Sequence, residues 1–139
     1  MSASSRRSSS RRNDEAVVAA EGDSLAVSQP GKVLFPRDGI TKLDVVHYYV
    51  DIAPVLLPHI RGRPLTFKPF PRGIDEKSYY LRSLPSDQPA WLRSVAYQPR
   101  TERTRISPVV ATDVRTLVWA ANRDALEVHP WLCRADDLE

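Results

Sequence analysis

No apolar run in this chain approaches the roughly 20 residues that a membrane-crossing helix needs, so a helical membrane span is excluded. Cysteine is almost missing: Cys133 stands alone, which rules out an internal disulfide and fits a reducing cytoplasm. There is no Cys/His cluster, which leaves a structural zinc site without its usual ligands. The N-terminus has arginines but no hydrophobic stretch behind them, so it does not read as a secretory signal. What is there, 139 residues at 42% hydrophobic and 27% charged, has the composition of an ordinary globular protein and the length of a single domain.

The formal net charge of +3 hides an uneven distribution. Residues 1–13 hold Arg6, Arg7, Arg11 and Arg12 and no acid. Residues 61–105 carry ten Lys/Arg against four Asp/Glu, whereas the segments on either side of that block are net acidic. A basic block of this kind can meet phosphates, and it can equally be a solvated face. Residues 1–23, Ser/Arg-rich and then acidic and alanine-rich, show no sustained apolar period and are expected to form a disordered tail. Such a tail solubilises, and its arginines can add weak, salt-sensitive attraction to nucleic acid.

Order is expected from residue 24 to the C-terminus. Leu25–Val27 and Lys32–Phe35 read as short strands separated by the Pro30-Gly31 turn, and Pro36 to Gly39 turns the chain again. Thr41 is a good N-cap, and Asp44 three residues on completes a short-chain capping box. Leu43, Val46, Val50, Ala53 and Leu57 then recur at three to four residues, which predicts one buried helix face. Pro54 is expected to bend this helix or end its regular part, and Pro58 to stop it. Leu65–Lys68, Ser78–Arg82 and Leu126–His129 read as strands, and Trp91–Tyr97 and Thr104–Val110 as weaker ones. A second helix is predicted from Thr112 or Asp113 to about Arg123, burying Val114, Leu117, Val118 and Ala121. The order of elements predicts an α/β (α+β) fold with two main helices and a mixed, mostly antiparallel sheet.

Three places could carry chemistry. Lys42 directly follows the N-cap, where a lysine opposes the helix dipole unless an anion sits nearby. Lys32 can approach the same point; the bland alternative is an exposed lysine on a surface turn. Tyr79 and Tyr80 lie among basic residues. If they sit on a strand they face opposite ways, so that one ring packs inward and the other is free to stack on a base. His129 closes a strand just before Pro130-Trp131, and a lone histidine there is either a ligand-binding group or simply exposed.

Taken in order, Gly31–Pro36, Gly39–Asp44, Tyr48-Tyr49 with Ile52–Pro64, Leu117–Asn122 and Leu126–Trp131 resemble the N-terminal half of the polymerase domain of bacterial DNA ligase D. The resemblance runs from about Ser28 to the C-terminus. It implies a partial primase-polymerase-like fold of the archaeo-eukaryotic type and a cytoplasmic, nucleoid-associated role in bacterial non-homologous end joining. It also implies DNA partners (gapped or broken ends with a 5′-phosphate), a nucleoside triphosphate, and Ku and ligase components. By position, Lys32 and Lys42 match lysines that hold a downstream 5′-phosphate, and Tyr79 and Tyr80 match paired aromatics, often Phe, that contact template DNA. Lys68 and His129 match positions near the incoming triphosphate.

The family uses Mn2+ or Mg2+, held by an Asp-x-Asp pair on a strand that follows His-Pro-Trp, with a third acid further on. Alternation puts both members of such a pair on one face, where they share two metals about 4 Å apart. This sequence reaches Asp136-Asp137-Leu138-Glu139 without that strand, and adjacent aspartates point to opposite strand faces. No Asp-x-Asp occurs elsewhere, and Glu21-x-Asp23 falls in the expected tail. The expectation is therefore a DNA-end- and nucleotide-binding portion with no catalytic or metal-binding residue of its own. The alternatives are one half of a split polymerase or primase completed by another chain, and a remnant that binds nothing.

Overall fold

The computed structural model describes residues 14–86 and 88–138. The chain opens with an antiparallel hairpin, β1 (Glu15–Ala20) against β2 (Asp23–Ser28), in register from Glu15↔Ser28 to Ala20↔Asp23. Its two-residue turn puts both Glu21 (φ 51°) and Gly22 (φ 77°) in the left-handed region, the conformation that matches the right-handed twist of flanking strands. Residues 14–23, expected to belong to a disordered tail, are thus part of a strand pair; residues 1–13 lie outside the described residues. The hairpin is ordered because alternation buries Val18, Ala20 and Val27 against the core while Val17 stays outside.

Strands β3 (Val33–Phe35) and β4 (Ile40–Thr41) form a second small antiparallel pair that delivers the chain to helix α1 (Lys42–Ile60). The capping box is present in full: Asp44 N–H donates to Thr41 Oγ1 (3.3 Å) and Thr41 N–H donates to Asp44 Oδ2 (2.9 Å). The Thr41 N–H, and after it the Thr41 side chain, hold the Asp44 carboxyl below the usual carboxylate range. The stability it brings is present above that range and fades as pH falls through its folded value. Thr41→Ala is expected to cost about 1 kcal/mol, read as a lower denaturation midpoint with an unchanged m-value.

The helix does not stop at Pro58 as expected; it runs on to Ile60. Pro54 and Pro58 are four residues apart and both exposed. The two carbonyls they deprive of an N–H, those of Val50 and Pro54, therefore lie on the solvent side, where water can replace the donor. The opposite face buries Val46, Ala53, Leu57 and Ile60.

A three-stranded antiparallel sheet follows, in the order β6 (Val109–Val110), β5 (Pro64–Pro69), β7 (Ala125–Pro130). Helix α2 (Val114–Asn122), capped by Asp113, connects β6 to β7 and packs on α1. Leu65 and Phe67 point from β5 into the core beneath α2, and Phe67 meets Trp119 edge-on at 5.8 Å. The period of two then places Thr66 and Lys68 on the other face, paired with His129 and Glu127 of β7.

The fold class read from the sequence is the one observed, with antiparallel pairing between all the described strands. Three expected strands are not full strands. Ser78–Arg82 contributes a single bridge, Leu81 to Phe67; Trp91–Tyr97 and Thr104–Val110 contribute bridges at Ser94↔Val109 and Tyr97↔Ile106, apart from the two residues of β6. Pro85, Pro89, Pro99 and Pro108 interrupt this region, and a proline has no N–H to offer a ladder.

Candidate nucleic-acid interface

The first turn of α1 sets the geometry. Thr41 fixes the helix start, and the Lys42 side chain points inward, only 2% exposed. Its Nζ donates to the carbonyl of Asn122 at the end of α2 (2.8 Å) and lies 3.4 Å from Ser28 Oγ and 3.5 Å from Asn122 Oδ1. Lys32, on the approach to β3, reaches the same place: its Nζ donates to the Pro71 carbonyl (3.0 Å) and to Asp124 Oδ2 (2.8 Å). Asp124 Oδ1 is in turn 3.7 Å from Lys42 Nζ. Burial pushes the Lys42 ammonium below the usual lysine range; Asp124 opposes that shift and Lys32 adds to it.

These groups line a cleft of about 660 Å³ between the hairpin, α2 and the chain after β5. Tyr79, Trp91 and Arg123 share its lining. The volume exceeds the need of a lone phosphate.

The backbone of the helix start plays a different part from the one expected. Lys42 N–H donates to Lys32 O (2.8 Å), Leu43 N–H to Pro30 O (3.0 Å), and Asp44 N–H to Thr41 Oγ1. The amides that would have faced a phosphate are taken up by the chain itself. What the helix start offers an anion is the position of the Lys42 ammonium, not free N–H groups.

A second cluster sits on the open face of the sheet. Lys68 Nζ is 3.9 Å from Glu127 Oε2 and lies over the rings of Tyr80 (5.3 Å) and Phe70 (5.5 Å). His129 Nε2 is 2.8 Å from Glu127 Oε1, and its ring meets Tyr80 edge-on at 6.2 Å. Glu127 thus bridges the lysine and the histidine.

The family model for the LigD primase-polymerase domain matches residues 41–139 of this chain. The chain belongs to that family. Among its relatives, the multifunctional non-homologous end joining protein LigD of Mycolicibacterium smegmatis is 37% identical over 113 residues, covering 81% of this chain and 15% of that protein. The LigD of Mycobacterium tuberculosis is 36% identical over 105 residues, 76% of this chain and 14% of that protein. The bifunctional LigD of Bacillus subtilis is 30% identical over 98 residues, 70% of this chain and 15% of that protein. The polymerase domain of Mycobacterium tuberculosis ligase D, solved in complex with DNA, superposes with a TM-score of 0.74 at 34% identity, over 79% of this chain and 38% of that one. The chain therefore spans about a seventh of the length of these LigD proteins.

In this LigD primase-polymerase chain the six residues singled out in the sequence fall into two groups. Lys32, Lys42 and Tyr79 line the cleft; Lys68, Tyr80 and His129 gather on the sheet. Tyr79 and Tyr80 part company although adjacent, and both are exposed, at 48% and 58%, where one was expected to pack inward. They are not in a strand, so no neighbouring layer covers either ring. Sequence reasoning missed Asp124 and Glu127, the carboxylates that organise each group. Glu127 two residues before His129 on a strand was a usable signal; Asp124 gave none, because its partners lie far away in sequence.

The divalent metal that the LigD primase-polymerase family implies meets no matching donor set: among the described residues no group of three or more His, Cys, Asp or Glu side chains is placed to hold one. No metal-assisted step is assigned to these residues.

Proposed function

We propose that this chain is the DNA-end- and nucleotide-binding portion of a ligase D-type repair polymerase acting in bacterial non-homologous end joining. The cleft takes the 5′-phosphate of a gapped or broken end through Lys32 and Lys42, and Lys68 with His129 takes the triphosphate of an incoming nucleotide. Ku and ligase components are its partners in that process. The observation that carries the reading is the convergence of two ammonium groups, one of them buried, in one cleft. Asp124 supplies one negative charge against two ammonium groups, which leaves a net positive site, and a terminal phosphate brings more charge to it than an internal diester. The solved relative in complex with DNA supports the same partner.

The test is a pair of titrations with matched gapped duplexes, one ending in a 5′-phosphate and one in a 5′-hydroxyl. Tighter binding of the phosphorylated duplex is expected; equal affinity would overturn the reading.

The two tyrosines should separate in the same assays. Tyr79→Ala is expected to weaken gapped-duplex binding by about 1–3 kcal/mol, the size of one base–aromatic stack, and to leave triphosphate binding unchanged. Tyr80→Ala should weaken triphosphate binding, because its ring covers Lys68 and His129. Identical profiles for the two variants would contradict this division.

A further inference from the structure

Asp124 is the third charged group of the cleft. It follows Arg123 at the exit of α2 with φ at 66°, in the left-handed region that Asn, Asp and Gly tolerate best. Its backbone is fixed from both sides: its N–H donates to Ala121 O (2.9 Å) and its carbonyl accepts from Phe70 N–H (2.9 Å). The carboxylate is therefore carried jointly by the end of α2 and the exit of β5. The residue is 8% exposed. Oδ2 accepts from Lys32, while Oδ1 is buried with no hydrogen-bond partner and 3.7 Å from Lys42 Nζ.

The turn alone does not account for a carboxylate. Asparagine would satisfy the same backbone without burying a charge, and a buried oxygen left without a hydrogen bond is costly. The two ammonium groups do account for it. Side by side they repel each other, and each has lost water; one negative charge between them relieves both effects.

We propose that Asp124 is the positioning residue of this cleft: its buried carboxylate pairs with both ammonium groups and holds them on one wall, so that a phosphate meets a preformed pair. The proposal rests on the 5′-phosphate reading above for its ligand, but not for the charge-holding role itself.

The groups facing Lys42 Nζ are few. Ser28 at the end of β2 and Asn122 at the end of α2 are uncharged; Lys32 enters before β3 and Asp124 from the turn after α2. The other charged side chain lining the cleft, that of Arg123, lies over the Trp119 ring at 5.1 Å. Removing the Asp124 charge takes away the influence that holds Lys42 charged; removing Lys32 takes away a like charge and leaves Asp124 to Lys42 alone.

The experiment follows the Lys42 side-chain resonances by NMR against pH in the lysine-labelled chain, in wild type, Asp124→Asn and Lys32→Met. Asparagine keeps the left-handed turn and the side-chain shape. The Lys42 titration midpoint should fall in Asp124→Asn and rise in Lys32→Met. In parallel, the 5′-phosphate preference of Asp124→Asn should vanish at a lower pH than that of wild type. An unchanged or raised Lys42 midpoint in Asp124→Asn overturns the proposal. Should that variant fail to fold, Asp124→Gly, which the left-handed turn also accommodates, takes its place: a lower Lys42 midpoint supports the proposal, and an unchanged or higher one overturns it. If the midpoints move as expected while wild type binds the phosphate and hydroxyl duplexes equally, the 5′-phosphate reading falls and the charge-holding role of Asp124 stands.

Discussion

Lys42→Ala is expected to bring the affinity for a 5′-phosphate gapped duplex down to that of the hydroxyl duplex. The lost preference should amount to about 1–3 kcal/mol, as for other charge-assisted contacts, or roughly 5- to 150-fold. The reason is geometric. The Lys42 ammonium is anchored by the Asn122 carbonyl and held at the end of a side chain that is almost wholly buried, so little ordering is left to do when a phosphate arrives. Lys32→Ala should have the same effect, because its ammonium lies across Asp124 from Lys42. General, salt-sensitive attraction should survive in both variants. The arginines of the basic block can supply it: Arg82 is offset by Glu102, whereas those that donate to neutral carbonyls keep their charge. Arg61 donates to Thr112 O, Arg63 to the carbonyls of Trp131 and Leu132, and Arg82 pairs with Glu102 at 3.0 Å. Arg72 is exposed. Titrations of each variant at two salt concentrations separate the two components, and a 5′-phosphate preference that survives in Lys42→Ala would sink the assignment.

Phe67→Ala should be the most damaging single change to the fold, costing about 3–5 kcal/mol, typical of large-to-small changes at a buried aromatic. Against a usual domain stability of about 5–15 kcal/mol, that is a large share. Phe67 is 1% exposed on the central strand of the sheet and carries the edge-on contact with Trp119, so its removal opens a cavity between β5 and α2 that neither element can close alone. Denaturant titration should show the loss as a lower midpoint. Lys68 is the next residue, and its aim at Glu127 depends on the pairing of Phe67 with Val128. Triphosphate binding should therefore weaken along with stability, whereas a surface change of similar size would leave it intact.

What was legible in the sequence was local. Thr41 and Asp44 announce the start of α1 because the capping box is a contact across three residues, and Asp113 announces α2 as an N-cap whose carboxylate accepts from Arg115 N–H two residues on. The alternation of Leu65–Lys68 and the run at Leu126–His129 gave β5 and β7. The hairpin was half legible: Leu25–Val27 reads as a strand and falls in β2, but β1 is made largely of alanine and valine between acids, and its turn uses Glu21 where Asn or Asp is the usual signal. The length of α1 was not legible, because a proline ends a helix only where its unpaired carbonyl has no other partner, and exposure is a property of the folded chain. The cleft itself was half legible. The family resemblance pointed to Lys32 and Lys42, but their common partner lies 92 and 82 positions further along the chain. No local pattern encodes such a meeting.

Those same distances have a consequence for how the cleft comes into being. Its charged side chains arrive from three separate stretches: the approach to β3, the first turn of α1, and the turn that follows α2. Lys32 and Lys42 meet locally, through the bond from Lys42 N–H to Lys32 O, but their shared carboxylate comes from the turn after α2, so the complete site exists only once that turn has docked. A DNA end that fits the cleft therefore acts as a staple across the whole chain. Occupancy and global stability rise together as the end is added, by the mass-action relation that couples any native-state ligand to folding.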